Sequence, residues 1–163
     1  ADITYIPTHE GWLFLAAVMD LYSRKIVGWS MREDLEAPLV VDAISMAISR
    51  RRPQPGLIHH SDRGSQYTSI AMGRTLRDSE IMASMGAKGD PWDNACAESC
   101  ISTIKNELVK RRTFQTRDQA RLALFRYIES FYNPLRRHSS LGMLSPNDYE
   151  ARHQREAATP VAA

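Results

Sequence analysis

The chain lacks the long apolar run that crosses a membrane: no stretch of about 18 uncharged apolar residues occurs. No basic-then-apolar leader with a small-residue cleavage site opens it, which argues for a cytosolic protein. Cysteine is scarce. Its two copies, Cys96 and Cys100, stand four apart on one expected helix, too few for a disulfide framework. Zinc would need further ligands, and no Cys or His pair stands at finger spacing, so buried thiols are the reading. Internal repeats and long linkers are missing too. What remains is 163 residues with 43% apolar content, enough for one domain around a single core.

Charge is small in total, +2, but unevenly laid out. Residues 1–103 carry 10 basic and 13 acidic side chains, whereas residues 104–138 carry 9 basic and 3 acidic. An acid-bearing part followed by a basic stretch suits a protein that holds cations at one place and a polyanion at another. A set of solvated helix faces would show the same counts.

Three extended segments come first. DITYIP (2–7) alternates weakly, GWLFLAAVMD (11–20) is apolar almost throughout, and KIVGWSMRE (25–33) follows a short turn, so 11–33 reads as a hairpin. A helix is expected over 37–51, with Pro38 in its first turn, an apolar stripe of Val40, Ile44, Ala47 and Ile48, and arginines at its end. LIHHS (57–61) reads as a short buried strand, 69–79 as a helix and 80–85 as a last strand. After the loop GAKGD, Asp90 is a cap and Pro91 a first residue for a helix running to about Lys110, with Asp93 three residues after the cap. Thr116 and Gln119 form a capping-box pattern for a final long helix that stops at Asn133-Pro134, its stripe Ala120, Leu124, Tyr127, Ile128 and Phe131. The stretch 151–163 is expected to be a disordered tail. Antiparallel strands first and α/β alternation afterwards imply one five-stranded mixed sheet with helices on both faces.

HHSDRGSQY (59–67) raises the functional question. Asp-x-Gly is what many tight turns look like, so Asp62 alone decides nothing. Asp2 falls on the first strand, Asp62 just past the fourth, and Glu98 on the helix after the fifth. If strands one and four are neighbours, these acids can converge. Converging carboxylates repel unless divalent cations neutralise them, and hard oxygen donors suit Mg²⁺ or Mn²⁺. Two ions about 3.5–4 Å apart can activate an attacking oxygen and stabilise a leaving one in phosphodiester chemistry. With 19 acidic residues, however, some three will fit almost any scheme.

Four segments narrow the choice: DITYIPTHEGWLFLAAVMDLYSRKIVGWSM, LIHHSDRGSQYTS, GDPWDNACAESCISTIKNEL and FYNPLRRHSSLGMLSP. Over roughly 2–150 the chain resembles the catalytic core of bacterial insertion-sequence transposases of the integrase-core (DDE) type, similar to retroviral integrases. The 35 residues between Asp62 and Glu98 match that family's second spacing. The resemblance implies a ribonuclease-H-like fold with Asp2, Asp62 and Glu98 as catalytic, metal-binding acids. It implies DNA strand cleavage and strand transfer with water or a 3′-hydroxyl as nucleophile, DNA as partner, two Mg²⁺ ions (Mn²⁺ substituting) and a homo-oligomer. A nuclease that does not join, or an inactive DNA-binding remnant, are the alternatives. The family's first strand starts several residues before its first acid, and its full-length members carry an upstream helix-turn-helix, so a trimmed catalytic domain is expected.

Lys105 lies seven residues after Glu98, on the same helix face with about 20° of drift. It stands about 10.5 Å further along the axis, a place for a cation that holds DNA phosphate; a solvated lysine is the alternative. Asn94, one turn before Glu98, could orient it, and Asp93 could start the helix or meet metal or DNA. Gln66, with Gly64 and Ser65, shapes the turn beside Asp62 and could touch DNA backbone. Arg136, Arg137 and His138 favour the last helix's dipole or bind DNA. Asp20 is read as stabilising the turn before Arg24. One of His59 and His60 is expected to face solvent or the site's rim. Trp12, Trp29, Tyr127, Phe131 and Tyr132 are core candidates before they are base-stacking ones.

Overall fold

The computed structural model describes residues 1–85 and 95–158. Strands β1 (Asp2–Thr8), β2 (Gly11–Met19) and β3 (Ile26–Arg32) form an antiparallel ladder in that order. Helix α1 (Ala37–Arg51) then leads to β4 (Ile58–Ser61), α2 (Ile70–Asp78) and β5 (Met82–Met85), with β4 and β5 paired in parallel. Helix α3 (Ala95–Glu107) follows, then α4 (Arg117–Arg126), which continues as a wider π-helical turn over Tyr127–Tyr132, and finally α5 (Pro146–Ala158).

Helices cover both faces of the three-stranded ladder. One core packs Ile6, Leu13, Leu15 and Ile26 against α3, α4 and the π turn; the other packs Ala16 and Val27 against α1 and α2. This is why β2 is apolar on successive residues: both of its faces are buried.

Local signals explain most boundaries. Ser69 caps α2 by accepting from Met72 N at 3.2 Å. Thr116 caps α4 by accepting from Gln119 N at 3.1 Å, and the Gln119 side chain returns to Gln115 N at 2.9 Å. Helix α1 ends where Arg52 turns left-handed, φ 45°, and donates to Ile48 O. The hairpin turn is held as expected by Asp20, whose Oδ1 accepts from Tyr22 N and Ser23 N at 2.8 and 3.3 Å.

Three expectations need correction. The five strands form a three-stranded and a two-stranded ladder, not one sheet. They meet where the Ala1 amine donates to His60 O at 2.6 Å. The stretch from 151 is helical as far as Ala158, because α5 spans it. Its start signal is present in the sequence: Ser145 accepts from Asp148 N and donates to that carboxylate, with Pro146 as first helical residue. Trp12 and Phe131 are exposed, whereas Tyr127 and Tyr132 are buried. Of the two histidines on β4, His59 is buried and His60 is half-buried, so His60 is the one that can reach the rim.

Two polar devices dock the C-terminal part. The buried Asn133 amide donates to Ile26 O and accepts from Ile26 N, both at 2.9 Å, so it acts as one rung of ladder at the end of β3. Asn133→Ala strands both backbone groups, and we expect a loss of about 2–3 kcal/mol, read from urea unfolding midpoints at constant slope. Glu150 on α5 meets Arg51 and Lys25, and Arg51 also reaches Asp20 at 3.1 Å. Burial alone would raise the Glu150 carboxyl, but hydrogen bonds from Arg51, Ser23 and Lys25 outweigh it and hold it below the usual range.

Candidate active site

Asp2 opens β1, opposite Ala17 of β2, and is half-buried. Its Oδ1 accepts from Ile3 N at 2.7 Å. Asp62 stands exposed one residue past β4, its Oδ1 accepting from Gly64 N at 2.9 Å in a tight turn that Tyr67 N and Thr68 N close onto Gly64 O. Glu98 is exposed in the first turn of α3, which packs across β1 and β2.

Their charges reach one another. Burial raises the Asp2 carboxyl first; the bond from Ile3 N opposes it, and the negative charges of Asp62 and Glu98 raise it further. Three acids from three separate elements therefore share one field. Among the described residues no group of three His, Cys, Asp or Glu side chains stands close enough to hold a metal ion as placed. Asp2 and Asp62 each turn an oxygen to a local amide. Hard carboxylate oxygens remain the donor chemistry that suits a Mg²⁺-class cation.

The other candidates divide. Lys105 places its ammonium 4.7 Å from the centroid of the Tyr5 ring on β1. Gln66 Nε2 donates to Leu35 O at 2.9 Å, tying the Asp62 turn to the segment before α1. The Arg136 guanidinium donates to Glu107 at 2.7–3.0 Å. That pair holds Glu107 below the usual carboxylate range. Arg137 is exposed. Asn94, with Asp90, Pro91 and Asp93, lies outside the described residues.

Beneath the site sits a buried polar pair that the sequence reading missed. His59 and Tyr67 have ring centroids 6.1 Å apart, and among the described residues neither His59 Nε2 nor the Tyr67 hydroxyl has a hydrogen-bond partner. Burial, with the Ala1 amine and His60 adding to it, pushes the His59 imidazole down to about 3. The unfolded chain protonates this histidine near its ordinary value of about 6.5, while the folded protein keeps it neutral. Its contribution is thus complete above that value and is lost as pH falls toward about 3. We expect His59→Phe to flatten stability across that window by up to about 1.4 kcal/mol per pH unit, measured by chemical unfolding at a series of pH values.

The chain matches the Integrase core domain family over residues 1–91, and a second Integrase core domain family over residues 79–146. It belongs to the integrase core family. The transposase for insertion sequence element IS904 of Lactococcus lactis is 50% identical to it over 149 residues, 91% of this chain and 59% of that protein. Transposase InsF for insertion sequence IS3A of Escherichia coli is 46% identical over 149 residues, 91% of this chain and 52% of that protein. This integrase core thus spans between half and three fifths of the curated relatives it matches. Among solved structures, the HTLV-2 integrase catalytic core domain in complex with magnesium superposes with a TM-score of 0.67 at 17% identity, covering 91% of each chain. The simian T-cell lymphotropic virus intasome superposes with a TM-score of 0.74 at 14% identity, over 99% of this chain and 55% of that one. At such identities the likeness is one of fold, the α/β fold of retroviral integrase cores.

Proposed function

We propose that this integrase core is the catalytic part of a DNA transposase, a polynucleotidyl transferase that cuts and joins DNA strands. The observation that carries the reading is the shared field of Asp2, Asp62 and Glu98, brought from β1, the end of β4 and α3. Their donor chemistry fits a hard divalent cation, and in this reading the three carboxylates hold Mg²⁺, or Mn²⁺ in its place. Two such ions supply charge neutralisation at the scissile phosphate and activation of the attacking oxygen.

The chain's own groups do the positioning. Asp2 is fixed by the ladder and by Ile3 N; Asp62 is fixed by its turn, which Gln66 anchors to Leu35. Glu98 rides on α3, which carries Lys105 about 10.5 Å further along, where an ammonium meets phosphate. Arg137 adds an exposed cation, while Arg136 serves through Glu107 and the packing of the π turn. Asn94 completes the proposed DNA-facing set. Two DNA ends must be held together for transposition, so the working form is a homo-oligomer.

The test is strand cleavage and joining of a labelled element end by a protein that includes this core. Mg²⁺ or Mn²⁺ should give both nicked product and product joined to a second duplex, and chelation should remove both. Cleavage that proceeds unchanged in chelator would sink the reading.

A further inference from the structure

Tyr5 and Trp12 are 53% and 51% exposed, a large apolar surface for two neighbouring rings on one hairpin. Their centroids lie 4.9 Å apart at an interplanar angle of 80°, so they form a corner. The Lys105 ammonium sits 4.7 Å from the Tyr5 centroid, which puts a cation at that corner.

The corner is tied to the acids along two routes. Tyr5 is three residues along β1 from Asp2, about 10 Å at about 3.3 Å per residue. Lys105 is seven residues along α3 from Glu98, about 10.5 Å at about 1.5 Å per residue. Both routes end at the same contact. About 10 Å is about three steps of a stacked strand at about 3.4 Å each, and fewer of an extended one.

We propose that Tyr5 and Trp12 form a stacking corner for an unpaired nucleobase within about three nucleotides of the reacting phosphate, with Lys105 on that nucleotide's phosphate. This rests on the transposase reading above. A paired base inside a duplex offers only its edges, whereas an unpaired base can lie flat on one ring and meet the other at its rim. Stacking of this kind tolerates any base, because every base has a π-face. A cross-strand aromatic pair that merely stabilised the hairpin would need no cation over one ring. An ammonium gains more from a phosphate than from an exposed ring, so Lys105 shifts from Tyr5 to DNA on binding, freeing the ring face.

The test uses fluorescence anisotropy with the full chain and two labelled probes. One is a blunt duplex of mixed sequence; the other is the same duplex with a three-thymidine 3′ overhang. The wild type should bind the overhang probe more tightly. Tyr5→Ala and Trp12→Ala should each weaken that probe by about 5- to 150-fold while changing the blunt duplex by less than about twofold. Trp12→Phe should restore most of the preference, and Lys105→Ala should weaken both probes and lower the salt slope by about one phosphate. Equal affinity of the alanine variants and wild type for the overhang overturns the inference. So does an equal loss on both probes, which is what simple unfolding of the hairpin gives. Cutting is scored separately: a protein that prefers the overhang yet never cleaves removes the transposase reading and leaves the corner as a binding site.

Discussion

Asp62→Asn should reduce metal-dependent cleavage and joining by about a thousandfold, the equivalent of about 4 kcal/mol of lost transition-state stabilisation. Asparagine keeps the shape of the side chain and an oxygen that still accepts from Gly64 N, so the turn over Asp62 survives. Only the charge is lost. DNA binding should therefore hold or tighten slightly, since one negative group has left a surface that meets a polyanion. A second readout does not depend on activity. Wild-type protein should gain thermal stability on adding Mn²⁺, by about 2.7 kcal/mol at a hundred times its dissociation constant, and the variant should gain little. In the absence of metal the order reverses: the Asp62 charge is one of two that raise the Asp2 carboxyl, and removing it relieves like-charge strain. A variant that cuts like wild type and responds to Mn²⁺ equally would show that Asp62 is a turn residue and nothing more.

How far the sequence carries this depends on whether a feature is local. The strand and helix positions up to residue 85 follow from alternation, apolar runs and caps, and the structure places them within a residue or two of expectation. Ser69, Thr116 and Asp20 act as their types and spacing suggest. What failed was long-range. Helix α5 has a short polar sequence whose value lies in Glu150 reaching Arg51 and Lys25, residues about a hundred positions away. Which strands pair into which ladder is a long-range property that no periodicity reports. Trp12 is exposed although β2 is buried on both faces further along, because it stands at the strand's exposed beginning.

The site shows the same division. Positions 2, 62 and 98 are proposed from acids at those spacings within recognisable segments, and the structure adds that the Asp62 and Glu98 charges both bear on the Asp2 carboxyl. The pairing of Arg136 with Glu107 is not legible, because Glu107 lies 29 residues earlier on α3. Tyr5 went unread as well. Alternation from the buried Thr4 and Ile6 would have turned it outward.

Gly28→Ala should cost about 3 kcal/mol or more and lower the melting temperature by about 6–12 °C, the largest stability loss expected from adding one methyl here. A Cβ at Gly28 would stand 2.2 Å from Ala43 O and 2.8 Å from both Ala47 N and Ala47 Cβ. The obstacle is helix backbone, which no rotamer change removes, so α1 must move off β3. That helix carries Leu39, Val40 and Ile44 into the core that also takes in Ile3, the neighbour of Asp2. Gly73→Ala is the control. It lies inside α2, where a Cβ meets only the Arg77 guanidinium at 3.4 Å, and alanine there should stabilise the protein by up to about 1 kcal/mol. Opposite signs for one chemical change on two glycines, read by thermal unfolding, would locate the constraint in the close approach of α1 to β3. Equal small effects would mean that α1 rides more loosely on the sheet than these contacts require, and that the acids at its far edge are held by the turns alone.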